Sequence, residues 1–146
     1  MIPVFRKFVF MLLIFLPLLS GLNGCTSNLE ADLPMTTIDR LPVEVQMSPP
    51  VVQQAYQFAS ANPDVMQEIP CYCGCGAIGH TSNYSCYVAG QDVNGRLEFD
   101  NHALGCSICV DITQDVMRKL KQGSTVPEIK AYIDETYSKY GNSNMP

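Results

Sequence analysis

Apolar residues recur at helical spacing three times along the chain. In "SPPVVQQAYQFASANP", Val52, Ala55, Tyr56 and Ala59 fall on one face, the pattern of an amphipathic helix. Ser48 stands at the N-cap position and prolines fill the first turn, where a missing N–H breaks no intrahelical bond. Asn62-Pro63 stops this helix, and "PDVMQEI" has room for one more short turn before Pro70. A second stripe, Cys109, Ile112, Val116 and Leu120, predicts a helix from about Ser107 to Gln122, closed by Gly123 as C-cap residue. The third helix begins at Thr125 and Glu128, set at capping-box spacing. Val126, Ile129, Ile133, Tyr137 and Tyr140 share its face as far as Gly141. The last two stripes predict an antiparallel helical hairpin, with the first helix as the third partner that buries them.

Between the first and second stripes the periodicity disappears. From Cys71 to Cys86 glycines interleave with cysteines, which favours tight loops over a long regular element. "CYVAGQDVNGRLEF" then places Asn94-Gly95 between two short apolar runs, the signature of a β-hairpin. Asp92 and Asn94 read as turn residues, because no calcium-ligand series follows them. Residues 26–47 carry Pro34, Pro42 and scattered charges without a period, and read as a largely unstructured tether with order beginning at Ser48. The predicted fold is mainly α: a small domain over 48–146 with three main helices, a C-terminal helical hairpin, a Cys-rich loop and a short β-hairpin.

The N-terminus has a different character. Arg6 and Lys7 precede the apolar run from Phe8 to Leu19, too short for a bilayer span of about twenty residues but right for the core of a secretory signal. The run ends in "SGLNGC", whose Leu22, Asn23, Gly24 and Cys25 resemble a bacterial lipobox. That resemblance implies a signal peptide over 1–24, cleavage before Cys25, and diacylation of its sulfur. Asn23 is less usual than a small residue at that place. The expected location is therefore the extracytoplasmic face of a membrane, with the lipid as anchor; in a Gram-negative cell this means the periplasm or outer membrane. Loss of Arg6 and Lys7 leaves seven basic against fourteen acidic residues, a net charge of −7. Such a chain is unsuited to nucleic acid, which requires a basic patch.

The chemistry is concentrated in sulfur. Apart from Cys25 there are six cysteines, Cys71, Cys73, Cys75, Cys86, Cys106 and Cys109. Both histidines lie among them, His80 and His102. An exported domain with an even cysteine count is often a disulfide framework, but three bridges radiating from C-x-C-x-C would compete for the same space. For a metal, Cys71, Cys73 and Cys75 in an extended segment project to one side, with Tyr72 and Gly74 facing away. Cys106 and Cys109 form a C-x-x-C where a loop enters a helix, whose dipole favours thiolate. Thiolate and imidazole together suit Cu(I) or Zn(II) rather than calcium or magnesium. Eight donors exceed the needs of one tetrahedral zinc, which favours Cu(I) held by bridging thiolates. Cys71, Cys73, Cys75 and Cys86 would form one side of the site, Cys106 and Cys109 the other, with His80 and His102 as auxiliary ligands. Haem attachment is disfavoured, because Val110 and not histidine follows Cys109. A redox alternative uses Cys106 as nucleophile and Cys109 as resolving thiol, although no βαβ pattern surrounds them. A disulfide-stapled binding module is the third reading.

"IPCYCGCGAIGH", with "NHALGCSIC" downstream and a helical pair at the C-terminus, resembles the bacterial lipoproteins named for their PCYCGC motif. The hexapeptide from Pro70 to Cys75 is unbroken. The resemblance implies an extracytoplasmic lipoprotein and brings little function with it. "CSICVDITQDVMRKLKQGSTVPEIKAYIDETYSKYG" is similar to the C-x-x-C helical hairpin of the thiol oxidoreductase of cytochrome c maturation, including Gly123-Ser124 and Tyr140-Gly141. It departs in a first helix several turns shorter and in the upstream cysteine cluster. The function expected is soft-metal binding for storage, sequestration or delivery, with a metal-donating or metal-receiving exported protein as partner.

Overall fold

The second apolar stripe forms the centre of the molecule. The computed structural model describes residues 32–146. We label its α-helices α1 (Val43–Gln46), α2 (Pro50–Ala61), α3 (Pro63–Met66), α4 (His102–Gly105), α5 (Ser107–Lys121) and α6 (Val126–Tyr137), and its strands β1 (Val88–Gln91) and β2 (Leu97–Phe99). The architecture is the mainly α domain with a small antiparallel sheet that the patterning predicts. Among the described residues no helix is long and apolar enough to cross a membrane.

Helix α5 buries Cys109, Val110, Ile112, Thr113, Val116 and Met117, and packs against α2 on one side and α6 on the other. Helix α2 contributes Val52, Ala55, Tyr56, Phe58 and Ala59, and α6 contributes Ile129, Ile133 and Tyr137. Each large aliphatic or aromatic side chain removed from water here stabilises the fold by about 1.5–3 kcal/mol. The Tyr56 and Tyr87 rings meet edge to face at 4.9 Å, joining α2 to the segment before β1. The predicted capping box is present at Thr125 and Glu128, and Gly123 takes the left-handed φ of 82° that ends α5. The hairpin turn is built as expected, with Asp92 Oδ1 accepting the backbone N–H groups of Asn94 and Arg96.

Four expectations are corrected. Order begins before Ser48: Thr36 exchanges hydrogen bonds with Gln57, and Leu41 and Val45 are buried in the core. Two apolar positions four apart suffice to dock α1, although a single turn is too short to register as a period. Ser48 is not a cap; its hydroxyl donates to the Val45 carbonyl, and Pro49 precedes α2. Helix α6 ends at Tyr137 and passes into a 3-10 turn, so that Tyr140 is exposed and leaves the core face. The Cys71–Cys75 segment is not a straight extended run, for reasons given below. The lipobox, Cys25 and the signal segment lie outside the described residues.

Candidate metal centre

The PCYCGC segment begins where Pro70 and Cys71 are buried beneath the C-terminal tail. Asn144 holds it there. Its Oδ1 accepts the Cys71 N–H at 2.7 Å, its backbone N–H donates to the Cys71 carbonyl, and its Nδ2 donates to the Ser82 carbonyl and toward Cys75 Sγ. Tyr72 turns away from the sulfurs, as predicted, and its hydroxyl donates to Asp134 of α6 at 2.6 Å. Gly74 then takes φ 85°, a left-handed conformation that costs other residues about 1–2 kcal/mol. The chain therefore curls into a 3-10 turn at Cys75–Ile78. The three sulfurs converge by this curl and not by strand alternation, and they lie within 4.8 Å of one another.

Helix α5 supplies the opposite wall. Cys106 is its N-cap residue and is partly exposed, whereas Cys109 is fully buried. Cys71 Sγ lies 3.4 Å from Cys73 Sγ and 3.5 Å from Cys109 Sγ, and Cys73 lies 3.6 Å from Cys109. Cys75 and Cys86 are 3.7 Å apart. His102 Nε2 is 3.3 Å from Cys73 Sγ. The six described cysteines are all free thiols, so the disulfide framework weighed from the sequence is not formed among the described residues. Four overlapping donor groups result: Cys73, His102, Cys106 and Cys109; Cys75, His80, Cys86 and His102; Cys71, Cys73 and Cys75; and Cys71, Cys86 and Cys109. Every cysteine and histidine proposed from the sequence as a ligand belongs to at least one of them, and such groups can hold a metal ion.

Crowding sets the charge of the cluster. Hydrogen bonds from Cys109, then from Cys86, hold the Cys71 thiol well below the ordinary thiol range. The neighbours move oppositely. Donation to Cys71, then to Cys86, with burial, pushes Cys109 up, while burial and the charge on Cys71 push Cys73 up. The metal-free cluster thus carries one thiolate easily and resists more, because like charges at these separations repel strongly in a poorly solvated interior. A bound cation removes that resistance.

A family model described as "Protein of unknown function with PCYCGC motif" matches residues 23–145. The chain belongs to this family. No curated protein and no solved structure matches it. The PCYCGC hexapeptide supplies three of the eight donors, and the remaining five come from segments that the motif's name leaves out.

Residues without sulfur also shape the site. Asn83 is buried, donates to the Cys109 carbonyl at 3.4 Å and accepts from Thr113. Tyr87 donates to the same carbonyl at 2.8 Å. Asp100 takes the His102 N–H on Oδ1 at 2.7 Å and faces His80 Nε2 with Oδ2 at 3.5 Å. Sequence reasoning passed over all of these, together with Asn144. Polar residues in loops carry no periodic signal, so only their placement beside the cluster distinguishes them.

Proposed function

We propose that the cluster binds a soft metal outside the cytoplasm, Cu(I) in preference to Zn(II), for storage, sequestration or delivery. The observation that supports this reading is the convergence of six free thiols and both imidazoles on one small, largely buried region. Soft thiolate donors select such ions, and Zn(II) takes four ligands in a structural site. The cluster offers twice that number, enough for more than one ion. Sulfurs packed 3.4–3.6 Å apart at Cys71, Cys73 and Cys109 are near enough to share ions as bridging thiolates, a mode open to Cu(I). On this reading a diacylated Cys25 anchors the protein to the extracytoplasmic face. An exported partner then gives or takes the ion at the partly exposed edge formed by Cys73, His102 and Cys106.

Native mass spectrometry of the protein, purified without chelator or reductant, tests the reading. Discrete copper or zinc adducts with intact thiols are expected. A metal-free mass short by about six daltons, two for each of three disulfides, overturns it.

One observation favours thiol–disulfide exchange as a second reading. Cys106 is partly exposed at the start of α5 with Cys109 buried behind it, the arrangement of an attacking and a resolving thiol. The double variant Cys73→Ser, Cys75→Ser separates the two. Metal binding should collapse in it, whereas exchange at Cys106 should persist.

A further inference from the structure

His80 is 8% exposed, and its buried Nδ1 has no hydrogen-bond partner among the described residues. A buried polar atom left unpaired is costly. The other ring nitrogen, Nε2, faces Asp100 Oδ2 at 3.5 Å. Asp100 is itself held firmly: its Oδ1 accepts the His102 N–H, its own N–H donates to the Tyr87 carbonyl, and its carbonyl accepts the Tyr56 hydroxyl. A carboxylate beside Nε2 favours the tautomer with its proton there, which leaves the lone pair on Nδ1. That lone pair meets no donor among the described residues.

The eight donors also divide without remainder. The first set is Cys73, Cys106, Cys109 and His102, whose donor atoms lie within 4.8 Å of one another. Cys75, Cys86 and His80 meet the same limit, and Cys71 meets it with both Cys75 and Cys86. His102 also lies near the second set, but a neutral imidazole has one lone pair to give, and its Nε2 is already 3.3 Å from Cys73 Sγ. Assigning Cys71 to the second set gives each set three thiols and one imidazole, the donor number of a tetrahedral site. The first is partly exposed and the second is buried, and they meet where Cys71 lies 3.4 Å from Cys73 and 3.5 Å from Cys109.

Building on the proposed metal-binding role, we infer that the cluster is a two-ion centre in which Asp100 holds the Nε2–H of His80 so that Nδ1 ligates the inner ion. Asp100 is a positioning residue: it touches no ion, but it orients one histidine through the ring and the other through the backbone.

The test is a Co(II) titration of the reduced, chelator-treated protein under argon, with Zn(II) stoichiometry read by native mass spectrometry. The unaltered protein should saturate at two equivalents with tetrahedral thiolate-cobalt absorption, and His80→Ala at one. Asp100→Asn should weaken the second equivalent by about 10–100-fold, and Asp100→Glu should restore part of it. Long-range 1H–15N spectra of the metal-free protein should place the His80 proton on Nε2, a readout that needs no variant. Two equivalents in a folded His80→Ala protein, or a proton on Nδ1, overturns the inference. Saturation at one equivalent in the unaltered protein overturns the two-ion centre while leaving soft-metal binding intact. No uptake of any soft metal overturns both.

Discussion

Gly141 lies closer to the start of the motif than a side chain would allow. A Cβ built there would stand 2.9 Å from the Tyr72 carbonyl oxygen, a backbone atom that cannot swing aside. Its φ of 167° is ordinary extended backbone, so the constraint is contact and not conformation. Gly141→Ala should therefore destabilise the fold by about 1–3 kcal/mol, as overpacking does, measurable by urea denaturation. It should also weaken metal binding, because Asn144, three residues on, fastens Cys71. The sequence presents Gly141 only as a helix-ending glycine. Its contact with a residue nearly seventy positions earlier belongs to the tertiary fold.

At the level of elements, the site depends on how the first turn of α5 is fixed. The Cys109 carbonyl accepts from Tyr87 and Asn83, which sets the direction in which Cys109 presents its sulfur. Tyr87→Phe should cost about 1 kcal/mol and lower metal affinity as well, since the neighbouring turn loses its hold on α5. Thr125→Ala should cost a similar amount, about 1 kcal/mol from the lost cap of α6, yet leave metal stoichiometry and affinity unchanged. Paired denaturation curves and metal titrations distinguish the two. The helices themselves were legible in the sequence because burial of one face imposes a repeat that survives in any amphipathic helix. Helix α1 was not, because a single turn carrying one deeply buried valine, Val45, has no repeat to read.

For the whole molecule the governing quantity is charge in the cluster. Seven basic and fourteen acidic residues in the segment after residue 24 offer little positive potential to offset additional thiolates. Cys73 and Cys109 are pushed up from the ordinary thiol value, by burial and neighbouring charge and by donation to Cys71 and Cys86 respectively. They therefore keep their protons at neutral pH in the metal-free protein. An ion must expel those protons to bind. A group with a raised pKa is protonated below it, so affinity should fall as pH falls and rise as pH rises. Calorimetric titration at neutral pH in buffers of different ionisation enthalpy should reveal net proton release on metal uptake. Uptake without proton release would mean that the thiols are already ionised and that the charge argument is wrong.

The amino-acid sequence by itself determined the kind of chemistry and the kind of scaffold. Six cysteines and two histidines are soft donors wherever they fold, and three apolar stripes at helical spacing bury themselves by forming helices whatever their partners. The capping box, the Gly123 stop and the Asn94-Gly95 turn are likewise local, since each depends on residues a few positions apart. Tertiary structure alone decided that the sulfurs meet as free thiols, that Gly74 curls the motif to bring them together, and that Asn144 and Asp100 hold the two sides of the cluster. Those contacts join segments dozens of residues apart, and their strength comes from burial and distance, which no periodicity along a chain encodes.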